Sequence, residues 1–260
     1  MSDTDTETPA PPSTVPGAPA RSGPAATGNK GETELVEYSR ARQTVTRRIA
    51  ESKATIPHIY LRITVDAAPL TGFRDRLRAE GGDPAPTVND LVIKAAALAL
   101  REHPRANATW RDGGVQLHSR INVGVAVDTE DGSVTPVVTD ADARPLAEIS
   151  AESRRLAERA RSGEITPPEQ AGATFAVSNL GPLGITSSEP VVNPGQAAKL
   201  AVGAIAARPV VRDGRVEPGQ VMELDLSCDH RVLHGGEAAR LLGAIKAGLE
   251  DPDSLAGRAA

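Results

Sequence analysis

The stretch Cys228-Asp229-His230-Arg231-Val232-Leu233-His234-Gly235-Gly236, CDHRVLHGG, decides how the chain is read. Running into it, ValMetGluLeuAspLeuSerCys (221–228) alternates in the manner of a strand, and ahead of it Glu237 to Glu250 carries apolar residues at helical spacing. A strand thus ends, and a helix begins, at a short segment holding two histidines. His230 titrates in the range that suits proton transfer at neutral pH; equally, it suits a hydrogen-bonded structural histidine. His234, four residues on, raises a metal site, because imidazoles at i and i+4 of a helix can share one ion. Gly235 and Gly236 break the helix this needs, no glutamate lies between the histidines and no third ligand is apparent, so no metal is expected. Cys228, the single cysteine, excludes an internal disulfide and reads as a small buried hydrophobe rather than a nucleophile.

Upstream, ThrPheAlaValSerAsn (174–179) and AlaLysLeuAlaValGlyAlaIle (198–205) are strand-like. The first runs into ValSerAsnLeuGlyProLeuGly (177–184), a strand ending in a polar, glycine-containing loop. A hydroxyl and main-chain N–H groups at a strand end, here Ser178 followed by Asn179 and Gly181, are what an oxyanion needs; such a loop is also a common turn. It is not a phosphate loop, since neither GxxxxGK[ST] nor GxGxxG is present between strand and helix. Further out, 41–54 predicts an exposed amphipathic helix with a thin stripe at Val45 and Ile49, closed by Pro57, and 58–66 a half-buried strand. Residues 87–102 predict a largely buried helix capped by Thr87 and Asp90. An ArgAspGlyGly turn between Trp110 and Val115 joins two short strands, 121–128 and 133–139 are strands about an Asp-Gly turn, and 145–161 is a surface helix over a sheet. Mixed strands and helices without regular βαβ alternation, and without internal repeats, indicate α+β with a mixed sheet.

Residues 1–32 are rich in Pro, Ala, Thr, Ser and Gly and hold almost no large apolar side chain, so a disordered tail is expected there and one folded domain over 33–260. The chain has 260 residues, 39% of them apolar, enough for one sizeable core. A net charge of -5, with 29 basic residues dispersed among 34 acidic ones, argues against nucleic acid as a partner. No apolar run long enough to span a membrane and no signal peptide is seen, so no membrane partner and a cytoplasmic location are expected.

Six segments occur in order: ArgArgIleAlaGluSerLysAlaThrIleProHis (47–58), ThrValAsnAspLeuValIleLysAlaAlaAlaLeuAla (87–99), IleAsnValGlyValAlaValAsp (121–128), ThrPheAlaValSerAsnLeuGly (174–181), AsnProGlyGlnAlaAla (193–198) and SerCysAspHisArgVal (227–232). Together they resemble the catalytic domain of the 2-oxoacid dehydrogenase acyltransferases, the E2 components, which share a fold with chloramphenicol acetyltransferase. The resemblance covers about 34 to 255. It implies a two-layer sandwich with a mixed sheet, assembled as a homotrimer whose active sites lie at subunit interfaces. In the family signature His-x-x-x-Asp-Gly the histidine is the general base, which by match is His230. The oxyanion-stabilising hydroxyl of the (Ser/Thr)-Asn-x-Gly segment carries over to Ser178, with Asn179 and Gly181 in support. The implied reaction is direct transfer in a ternary complex without an acyl-enzyme.

Three departures shape the expected function. The family's Asp is His234 here, so a fixed negative charge that would pair with an arginine is gone, and the position is either rewired or inactive. Nothing resembling a lipoyl or subunit-binding domain precedes the domain, and AspProAspSerLeuAlaGlyArgAlaAla (251–260) lacks the leucine-rich end that docks trimers into cages. The expected function is therefore a stand-alone O-acetyltransferase without covalent cofactor. It takes acetyl-CoA as cosubstrate and a small-molecule alcohol as acceptor, in polyketide or tetronate biosynthesis by analogy with free-standing members. The alternatives are an E2 core served by a separate lipoyl protein and an inactive trimeric scaffold.

Overall fold

The structure is a computed structural model that describes residues 31, 33–81, 85–129 and 132–256. It divides into two units, Met1–Tyr38 and Ser39–Ala260. In the first, only Gly31 and residues 33–38 are described, with no helix or strand run among them; the rest of the expected tail lies outside the described residues.

The second unit grows from one long strand. β1 (His58–Asp66) pairs antiparallel along its whole length with the second half of β11 (Arg215–Asp229). The other edge of β11 is shared by β9 (Ala198–Val202) and β10 (Ala206–Arg212), both antiparallel to it. From β9 the sheet continues through parallel pairing to β8 (Phe175–Asn179) and β4 (Val123–Val125), and ends on antiparallel β7 (Val137–Val138), seven strands in all.

The period-two side-chain pattern of these strands keeps register across the sheet. Leu61, Leu226, Leu200, Val177 and Val125 form one continuous apolar row, and Ile63, Leu224 and Val202 lie in the next. That face is covered by α2 (Ala68–Ala79), α3 (Val88–Glu102), α4 (Leu146–Arg161) and α5 (Gly235–Glu250). α3 is buried from Asp90 to Leu100, because Ala95, Ala96, Ala97 and Ala99 let neighbours approach closely. Its start is the expected capping box: Thr87 Oγ1 accepts from the Asp90 N–H at 3.2 Å, and Asp90 Oδ2 accepts from the Thr87 N–H at 2.8 Å, contributing about 1 kcal/mol. The opposite face of the sheet is polar, with Tyr60, Arg62, Ser178, Lys199, Asp225 and Ser227 pointing away from the helices. Before β1, α1 (Arg40–Thr55) buries only Ser52, whose hydroxyl donates to the Val192 carbonyl at 2.5 Å.

The helices read at 41–54, 87–102 and 145–161 and the strand at 58–66 are present. So is the hairpin of β2 (Ala108–Arg111) and β3 (Gly114–Leu117). The strands read at 121–128 and 133–139 are each broken in two. Ala126 donates its N–H to Val177 and Val125 to Pro136; beyond that point β5 (Val127–Thr129) and β6 (Gly132–Val134) pair as a separate hairpin. Pro136 has no N–H to continue a ladder. Asp131 of that turn is outside the described residues. Three elements carry no clear sequence signal: α2, which opens with a proline in its first turn, β10, and the four-residue α6 (Asp253–Ala256). β10 and the first half of β11 set Pro209 opposite Pro218, tolerated only where neither strand calls on an N–H.

The loop after β8 is seated on the end of β9. Leu180 donates to the Val202 carbonyl at 3.2 Å, Ala204 donates to the Ile185 carbonyl at 2.8 Å, and a Cβ on Gly203 would stand 2.0 Å from the Thr186 carbonyl oxygen. Gly203→Ala should therefore lower unfolding free energy by about 1–3 kcal/mol in a urea titration; an unchanged midpoint would mean the loop is not seated there.

Candidate active site

At the end of β11 the chain turns sharply. Val232 and Leu233 donate their N–H groups back to the Asp229 carbonyl, at 2.9 and 3.0 Å, and both side chains are buried. With these two apolar anchors turned inward, His230 and His234 are turned outward and both are exposed. The His230 N–H donates to the Pro57 carbonyl at 3.0 Å, which fixes the backbone from which the imidazole projects. The two rings meet edge to face with centroids 5.4 Å apart, and among the described residues no third His, Cys, Asp or Glu joins them into a ligand group.

The residues that hold this turn were not singled out from sequence. Asp229, 2% exposed, accepts from Arg231 Nε at 2.9 Å and Nη2 at 2.7 Å and from the Arg231 N–H at 3.0 Å. The Arg231 guanidinium lies 4.0 Å from the centroid of the Trp110 ring, a stacked cation–π contact. An acid two residues before an arginine is the only local signal, and it is common in turns. At the other end, His234 is the N-cap of α5 and its N–H donates to Glu237 Oε2 at 2.9 Å. That hydrogen bond, with Arg105 3.3 Å away, holds the Glu237 carboxyl below the usual carboxylate range. The two arginines flanking the turn, Arg231 and Arg105, are thus paired with Asp229 and Glu237. Neither is left waiting for a carboxylate at position 234.

The second cluster is at the end of β8. Ser178, Asn179 and Gly181 are each half-buried. Asn179 Oδ1 accepts from the Gly181 N–H at 2.9 Å, and a Cβ on Gly181 would meet the Gly203 carbonyl oxygen at 2.8 Å, so the loop's close approach to β9 requires glycine. Ser178 points to the polar face.

Within one chain these clusters are far apart. Ser178 is level with Ala201, and Ala201 with Asp225; His230 lies five residues beyond Asp225. The offset is about 16 Å along the strand and about 10 Å across two strand spacings. A base and an oxyanion donor acting on one reacting carbon must each be within about 3 Å of the group they serve.

The chain thus combines a mixed sheet with one polar face, an outward histidine at one end and a hydroxyl at a distant strand end. The chain belongs to the 2-oxoacid dehydrogenase acyltransferase catalytic domain family, whose model matches residues 30–256. It is 42% identical over 228 residues to the dihydrolipoyllysine-residue acetyltransferase component of the pyruvate dehydrogenase complex of Rhizobium meliloti, covering 85% of this chain and 51% of that protein. Two solved structures share the fold, each with a TM-score of 0.84 and coverage of 93% of this chain and 99% of the other. One, 31% identical, is the Azotobacter vinelandii dihydrolipoamide acetyltransferase (E2p), studied for the roles of a serine, a histidine and an asparagine in its catalytic mechanism. The other, 32% identical, is the cubic core of the pyruvate dehydrogenase multienzyme complex. The chain spans about half the length of the curated relatives it matches.

These relatives overturn the expected O-acetyltransferase that passes acetyl from acetyl-CoA to a small-molecule alcohol in polyketide or tetronate biosynthesis. They are acetyltransferases of dihydrolipoyllysine residues, at 42% and 37% identity in two bacterial examples, and favour the alternative of an E2 core. The physical reason is that a base and an oxyanion donor serve a thiol as well as a hydroxyl, so the site chemistry alone does not single out an alcohol.

Cys228 is fully buried one residue from Asp229, and burial, then the neighbouring carboxylate, push its thiol up to about 12. It should resist a disulfide reagent at pH 8 in the native protein and react stoichiometrically once unfolded. Rapid native labelling would refute its burial.

Proposed function

We propose that this chain moves an acyl group, acetyl in the relatives, between a dihydrolipoyl group and coenzyme A, at a site assembled from two copies. His230 of one copy removes the proton from the attacking thiol, and the thiolate adds to the thioester carbonyl. Ser178 of the neighbouring copy donates a hydrogen bond to the oxyanion. Collapse expels the second thiolate, which takes the proton back from the imidazolium.

The observation that carries this reading is a spacing. In the Azotobacter acetyltransferase the serine stands as far before the histidine as Ser178 stands before His230 here, and the asparagine follows that histidine by four residues, as His234 follows His230. A neutral amide at that position supports a hydrogen-bonding role for His234 in place of a fixed charge. The separation of Ser178 from His230 within one chain supports a site shared between copies, and a closed trimer is the assembly we propose.

Four measurements test this. In an assay of acetyl transfer from acetyl-CoA to dihydrolipoamide, His230→Ala should lose about 10² to 10⁴ in rate. Ser178→Ala should lose about 10² to 10³ in kcat with little change in KM, because the hydroxyl acts on charge present only in the transition state. If more than about a tenth of the wild-type turnover remains in His230→Ala, the base is another group.

Co-assembling the two inactive variants in equal amounts should restore about a quarter of the wild-type rate, since each shared site then draws at random on two kinds of copy. No recovery above the separate variants would place both residues in one chain's site. For His234, the change to Asn should keep turnover within about threefold of wild type, while the change to Leu, which offers no hydrogen bond, should cost about tenfold or more. Equal effects of the two substitutions would remove His234 from the mechanism.

A further inference from the structure

Among the described residues two lysines are withdrawn from solvent, and one of them has hydrogen-bond partners. Lys94, 1% exposed on α3, donates to the carbonyl oxygens of Asp142 and Arg144, both at 2.7 Å. Lys199, on β9, is half-buried on the polar face, and among the described residues its ammonium has neither a carboxylate nor a hydrogen-bond acceptor. Burial pushes it below the ordinary lysine range, with no charge of either sign adding to the effect. Its cross-strand neighbour on β11 is Ser227, which is 0% exposed and whose hydroxyl is likewise unpartnered. Buried polar groups are ordinarily hydrogen-bonded, so two adjacent orphan donors mark a place where an acceptor belongs.

The acceptor's position follows from the register. Ala176 pairs with Lys199 and Ser178 with Ala201, so Lys199 is the diagonal neighbour of Ser178 on the same face, with Cα atoms about 8 Å apart. Ser227 also borders a cavity of about 220 Å³ on that face, lined in part by Tyr60, Arg62 and Asp225. Arg62 is occupied by Asp225 at 2.5 Å, and Asp225 also accepts from the Ser188 N–H at 3.0 Å. Among the described residues, Lys199 in the adjacent row is left as a cation without a partner.

We propose that Lys199, with the hydroxyl of Ser227, binds a carboxylate carried on the substrate within reach of the lysine side chain while Ser178 faces the thioester carbonyl. This rests on the acyl-transfer reading above. The phosphates of coenzyme A lie at the far end of a long neutral arm from its sulfur, so the anion belongs to the acyl group or to the acceptor thiol. Lys199 is then a specificity determinant that favours a dicarboxylic acyl group, or an acidic dithiol, over its neutral counterpart.

The test is binding, independent of turnover. The full chain in its native assembly is titrated calorimetrically with acetyl-CoA, succinyl-CoA, dihydrolipoamide and dihydrolipoate. Wild type should bind one of the two carboxylate-bearing ligands about tenfold or more tightly than its neutral partner, and which pair shows the preference assigns the anion to acyl group or acceptor. Lys199→Met, of similar length and without charge, should abolish the preference and leave neutral binding unchanged, with Lys199→Gln as the second variant should Met not fold. Ser227→Ala should reduce the preference about two- to fivefold. The proposal falls if wild type shows no preference, or if the preference survives in both lysine variants. It falls too if light scattering shows that they break up the assembly, which would make the ammonium a contact between copies. Loss of acyl transfer with the binding preference intact would overturn only the catalytic reading.

Discussion

The backbone ladders on the two edges of β11 are the constraint from which the other placements follow. One edge is satisfied by β1 over its whole length and the other is divided between β9 and β10, so the strand has little freedom to slide. A slip of one residue would carry Leu224, Leu226 and Cys228 to the polar face and Asp225, Ser227 and Asp229 into the core. The same register fixes where the strand stops. Asp229 arrives buried at its end, where its carboxylate clamps Arg231 and closes the turn that throws two histidines outward.

What was legible in the sequence divides along the same line. Elements whose signal is local were read nearly to the residue: the capped helix from Thr87, the alternating strand from His58 and the last long helix, read from Glu237 and found to begin at Gly235. Elements that exist because of a neighbour were not. β10 carries Pro209 and β11 carries Pro218 and Gly219, a poor strand composition that pairing in a hairpin overrides. The breaks at Ala126 and Pro136 depend on Val177 and Val125 being near, and nothing in 121–139 alone reveals that.

The candidate site was legible in its parts and not in its arrangement. His230 and Ser178 stand out by their flanks, but that they lie at different ends of the sheet is a matter of strand order. The ion pairs of Arg231 with Asp229 and of Arg105 with Glu237 were hidden for the same reason. The acceptor was the least legible feature, because a general base and an oxyanion donor are indifferent to whether sulfur or oxygen attacks. The proposed discrimination is assigned to the polar face, where among the described residues Lys199 and Ser227 have no partners of their own.

The burial of Cys228 has a practical side. With its only thiol sealed in the core beside the turn that carries His230 and His234, the protein has a chemically silent surface towards sulfur reagents. A cysteine introduced on an exposed helix position would then be the sole point of attachment for a fluorophore or spin label. Distances between copies could be read from such a label in the native sequence background, with no need to remove the native cysteine and open a cavity next to the site being measured.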